Sequence, residues 1–193
     1  MVIHNRSEFY SGTRQFIAGL ALHKQELAAV ALVCPVAAFS QIYSASRARQ
    51  QAFQLTREGK REGFITQGDT KETAQSSIEK SRDALVPYLG SDWSESWTPA
   101  GFINRSLAIP QSIPRIVDAL EALERYFTAN AAQQRADLNV TAAFAKTARE
   151  NLELAVSTVA RCKREQRANR DLREGADVAL ADKLSIHYRP AAE

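Results

Sequence analysis

The residues able to do chemistry in this chain are few, and their spacing speaks against most catalytic designs. Gly63 to Thr70 reads GFITQGDT and has the glycine spacing of a phosphate loop. Asp69 stands where the phosphate-binding lysine belongs and no strand precedes it, so the segment would repel phosphate and reads as an interhelical loop. No serine sits in a G-x-S-x-G elbow, and His4, His23 and His187 share no signature with Cys34 or Cys162. Metal sites in helical bundles draw on Glu-x-x-His, which is absent from the chain. No catalytic residue, metal ligand or cofactor site is therefore assigned.

Two groups of residues suit binding instead. Arg161, Arg164, Arg167, Arg170 and Arg173 recur every third position, which suits phosphate or an acidic partner. A three-residue step turns about 300° on a helix, so the five wind around the axis with Lys163, Glu165, Asp171 and Glu174 among them. The other group is Trp93, Trp97 and Phe102, whose large rings serve either an interface or the pinning of a long loop onto a core. Trp93, Trp97, Phe102, Arg164, Arg167 and Arg170 are accordingly the candidate partner-binding residues.

The elements that must position these groups are helical. The 193 residues include 32 Ala but only 8 Gly and 6 Pro, 45% are apolar and 24% charged. That is a soluble globular composition with much helix-favouring and little turn material, and it excludes an all-β fold. Area scaling predicts that roughly 70% of the unfolded surface is hidden, enough for one domain over residues 1–193. The net charge is +3, which permits polyanion binding without arguing for it.

Ser7 with Glu8 opens a first helix, and Phe9, Phe16, Leu20, Leu27, Val30 and Cys34 recur at helical spacing. The pattern resumes beyond Pro35 with Phe39, Ile42, Tyr43, Phe53 and Leu55, so one kinked helix from about Ser7 to Glu58 is expected, with two separate helices as the alternative. Gly59, Gly63 and Gly68 predict a connection. Asp69 or Thr70 then starts a helix ended by Gly90, irregular near Pro87. Ser91 to Ser112 lacks either periodicity and reads as a long loop. Ser112 with Pro114 opens the next helix, whose apolar face is Ile116, Leu120, Leu123 and Tyr126 or Phe127, to about Asn130. Thr141 opens the longest, marked by Phe144, Ala148, Leu152, Ala155, Val159 and Cys162 and running 40 residues or more. The expected fold is all-α, an elongated helical bundle with two long antiparallel helices and shorter helices packed alongside.

Neither apolar run near the N-terminus reaches the roughly 20 residues of a membrane span, and neither has the form of a signal peptide. Two cysteines are too few for a disulfide scaffold, though one Cys34–Cys162 bond stays open. A cytoplasmic protein is expected. Leu27 to Phe39 carries no charge on any face, which predicts self-association.

The order YLGSDWSESWTPAGF, a proline-bounded helix ending in RYFTAN, then LNVTAAFAKTAREN opening a long helix, resembles a group of uncharacterised bacterial all-helical proteins. The resemblance covers about residues 88 to 188. Some members of that group continue into fibronectin type III-like modules, and no such β-rich module is present here. The resemblance implies a bacterial source and a structural or interaction role, with no activity and no functional residue. The leading expectation is a non-enzymatic helical scaffold or protein-interaction module with a protein partner or self-association. A nucleic-acid-binding accessory protein is the alternative, and an enzyme of unrecognised type the third.

Overall fold

A computed structural model describes residues 6–22 and 36–187, and those residues fold as helices without a named strand. The helices are α1 (Arg6–Leu22), α2 (Val36–Leu89), α3 (Ile113–Ala129) and α4 (Ala142–His187). His4, His23, the apolar run up to Cys34, and Pro35 lie outside the described residues. The expected kink at Pro35 and the open question of a Cys34–Cys162 bond therefore also fall outside the described residues. No helix among the described residues is long and apolar enough to cross a membrane.

The sequence reading needs correction at α2. The helix runs unbroken for 54 residues through Gly59, Gly63 and Gly68, where a connection and a fresh start at Asp69 are expected from sequence. Three glycines cost roughly 1 kcal/mol each relative to alanine, which a long packed helix absorbs. Gly63 is buried, and a Cβ there would lie 3.5 Å from Val159 Cγ2 on α4. The helix also carries Pro87 within its last turn and ends where Gly90, at φ +92°, donates to the Val86 carbonyl, the left-handed stop that glycine supplies without strain.

The chain divides into two compact units, Met1–Glu58 with Arg164–Glu193 and Gly59–Lys163. In the first, Tyr10, Phe39 and Leu180 form a core against Phe16, Ile42 and Leu184, and Phe16 meets Phe39 edge to face at 5.6 Å. Beside this core a carboxylate is buried. Asp177 accepts from the Tyr10 hydroxyl at 2.6 Å, from Ser46 Oγ at 3.0 Å and from Arg6 Nε at 2.9 Å, so three donors from α1 and α2 satisfy one charge on α4 that would otherwise be costly to bury. One turn earlier on α4 the Arg173 guanidinium lies 4.0 Å from the Phe53 ring centroid.

The second unit holds the larger core: Ile78 and Leu85 from α2, Ile116, Leu120, Leu123 and Phe127 from α3, Leu152 from α4, and Trp97 with Phe102 from the segment between α2 and α3. The α3 stripe is the one its spacing predicts. Ser112 is extended at the α3 entry, although its hydroxyl caps nothing. Thr141 does cap α4, its Oγ1 accepting from the Phe144 amide at 3.1 Å. Between α3 and α4 a backbone pair, Arg135 with Val140, closes a tight turn whose residue Asn139 is left-handed.

Candidate interaction groove

Residues 91–112, apolar yet without helical or strand order, fold as a clasp. A 3-10 turn, Glu95–Ala100, ends at Gly101, whose φ is +90°. The conformation and the crowding both call for glycine here. A Cβ would lie 2.9 Å from Ala122 Cβ and 3.2 Å from Ala119 Cα, so Gly101 is where the clasp touches α3.

The rings then fall into place. Trp97 is wholly buried and meets Phe102 edge to face at 5.2 Å; full burial of such a side chain is worth about 4–6 kcal/mol before ordering costs. An acceptor for the Trp97 indole N–H is the natural expectation for a buried tryptophan, but none is present: this Nε1 is buried without a hydrogen-bond partner. The bonded indole is that of half-buried Trp93, which donates to the Phe102 carbonyl at 2.9 Å.

Beyond Phe102 the chain swings outward at residues 103–106, then returns with Leu107 and Ile109 against the core and is tied to α2. Gln75 Nε2 donates to the Pro110 carbonyl at 2.8 Å and Arg82 reaches the Leu107 carbonyl at 3.5 Å. Between Phe102 and these ties, Asn104 (φ 63°) and Arg105 (φ 54°) are consecutive left-handed residues that are not glycine. Asparagine tolerates this backbone, whereas at Arg105 it costs of order 1–3 kcal/mol and persists where the surroundings impose it. Ile103, just before the pair, is 55% exposed.

This excursion and the near face of α3 enclose a groove of about 840 Å³. Its floor is Gly101, Phe102, Ala119 and Ala122, and its polar rim includes Asn104, Gln111, Arg115, Asp118 and Arg125. Arg115 and Asp118 make no ion pair among the described residues. Arg125 sits 3.8 Å from Glu121, both well exposed, a contact of little energetic weight.

Of the five arginines spaced every third residue from Arg161 to Arg173, all but Arg161 fall in the other unit. Arg164 and Arg167 are exposed, Arg170 is exposed and 3.2 Å from Asp171, and Arg173 is buried. Arg170 and Arg173 thus differ in exposure as residues winding around an axis must. The Trp93, Trp97 and Phe102 group and the Arg164, Arg167 and Arg170 group therefore belong to separate units.

The GFITQGDT segment is regular helix within α2, with no loop to wrap a phosphate. With α4 it lines a second, smaller depression of about 670 Å³, bordered by Thr66, Thr73, Leu154 and Thr158. Among the described residues no group of three or more His, Cys, Asp or Glu is placed to hold a metal ion. Cys162 is half-buried. Burial raises the Tyr126 hydroxyl above its ordinary range, partly opposed by its hydrogen bond to Gln133 at 2.8 Å.

Sequence reasoning picked out the clasp but not the groove residues Asn104, Arg115, Asp118 and Arg125. The available signal was Asn104, since asparagine is among the few residues that tolerate left-handed backbone. Comparison with protein-family models, with curated proteins and with solved structures returned no match.

Proposed function

We propose that the chain is a helical protein-interaction module whose binding site is the groove between the Phe102–Ser112 segment and α3. The observation that carries this reading is the left-handed pair Asn104–Arg105, strained at Arg105, with Asn104 at the rim of a groove with an apolar floor. Strain of this kind clusters at ligand clamps and other functional sites. It leaves Ile103 exposed beside the groove, where a ring of polar groups surrounds an apolar surface in the manner of a recognition site.

The long helices act in this reading as the scaffold, running antiparallel. In the first unit Ser46 of α2 meets Asp177 of α4, and Phe53, farther along α2, meets Arg173, earlier along α4; that order supports the antiparallel course.

A displayed peptide library panned on the full chain tests the proposal. Peptides enriched on the wild type should lose binding to Ala108→Trp, which places a large ring in the groove from an exposed position. Peptides retained equally by Ala108→Trp, or no enrichment at all, would overturn it.

A further inference from the structure

The groove's charges go further and indicate what kind of segment fills it. Resting on the reading above, we infer that the occupant is an extended peptide segment with an apolar side chain flanked on both sides by carboxylates, spaced to reach Arg115 and Arg125.

The guanidinium of Arg115 has no ion pair among the described residues and stands on the groove wall. Arg125, on the same wall, makes a loose, exposed ion contact with Glu121 at 3.8 Å and donates from Nε to the Glu121 carbonyl at 3.4 Å, which leaves its charge largely uncompensated. Guanidinium groups recognise carboxylates through paired, charge-assisted hydrogen bonds, and an anionic segment would meet both at the groove edge.

Arg115 and Arg125 are ten residues apart on α3, about 15 Å along the helix axis. An extended peptide advances about 3.3 Å per residue, so carboxylates four positions apart span about 13 Å. Between the two arginines the floor is made of small side chains, Ala119 and Ala122, beside Phe102. A leucine-sized side chain at the centre of the five residues would enter there. Asp118 lines the same stretch, so it disfavours a third carboxylate at the centre and tolerates a neutral or basic residue. The expected pattern is acidic, any, apolar, any, acidic.

The probe is a fluorescein-labelled peptide with the core Glu-Ala-Leu-Ala-Glu, followed by fluorescence anisotropy with the full chain at low salt. Binding to the wild type should weaken roughly tenfold in Arg115→Glu and in Arg125→Glu, the order of one charged contact, while both variants keep the wild-type melting temperature because the two side chains are exposed. A Lys-Ala-Leu-Ala-Lys core should bind the double variant better than the wild type. Absence of binding, or binding indifferent to both substitutions, would overturn the inference. So would a single-stranded oligonucleotide that takes the same arginines more tightly, or a second copy of the chain shown by sedimentation to occupy the groove. If library peptides excluded by Ala108→Trp bear no acidic pair, this inference falls while the interaction site stands; if Ala108→Trp excludes none, the site itself falls.

Discussion

Tyr10 and Asp177, 167 residues apart in sequence, share a hydrogen bond of 2.6 Å inside the first unit. Tyr10 is 5% exposed and Asp177 2%, so the phenol must keep its proton for the pair to hold. Burial first, and then the bond to Asp177, pushes its pKa from 10.0 to about 12.

That shift fixes an alkaline limb of stability. Between the two values the folded chain retains a proton that the unfolded chain has released, so the contribution is full below about pH 10 and is lost as pH rises through about 12. Its size is about 2–3 kcal/mol. Denaturant melts from pH 9 to 12 should show the loss, and Tyr10→Phe should flatten it; an unchanged limb in the variant would refute the assignment.

Trp97→Ala should cost about 3–5 kcal/mol, as other large buried aromatic deletions do. Trp97→Phe should cost less, since it removes an indole N–H that has no acceptor. With Trp93→Phe in place, the remaining Trp97 fluorescence should be blue-shifted and shielded from iodide, whereas Trp93 alone should be quenched in part. Free quenching of both indoles would contradict the clasp.

Gly101→Ala should destabilise by about 2–4 kcal/mol, because left-handed backbone and a 2.9 Å approach to Ala122 act together. Urea melts measure it. A paired Ala122→Gly should recover part of the steric share and none of the conformational share.

Gly68→Ala should do the reverse. Nothing lies within 4 Å of a Cβ at Gly68, and the position is inside α2, so the variant should gain up to about 1 kcal/mol. A loop at this position would show no gain in helicity or melting temperature, which makes the substitution a direct test of helix continuity.

The contrast between these two glycines explains what was legible beforehand. Both count as breakers in a one-dimensional reading, yet Gly68 is an exposed helical residue whose cost is shared by a 54-residue element, and only Gly101 has a positive φ. Helix α3 was readable because its apolar stripe, Ile116 to Phe127, has a single period and proline and asparagine at its ends. Burial of Trp97 followed from ring size, but the fate of its N–H depended on which carbonyls came near, and the Phe102 carbonyl went to Trp93. The groove was hidden for a similar reason. It exists because Gln75 and Arg82 catch carbonyls 35 and 25 residues away, and no local pattern encodes those meetings.

The left-handed turn at Asn104–Arg105 also bears on how the chain meets a protease. Arg105 is exposed and basic, the kind of bond trypsin takes, but trypsin-like clefts grip their substrates in extended form. Two consecutive residues at φ 63° and 54° do not fit such a cleft. The tethers at Leu107 and Pro110 resist the straightening that would be needed. Cleavage at Arg105 should therefore wait on local opening, so that an exposed arginine is cut slowly in the wild type and sooner in Gln75→Ala, where one tether is gone.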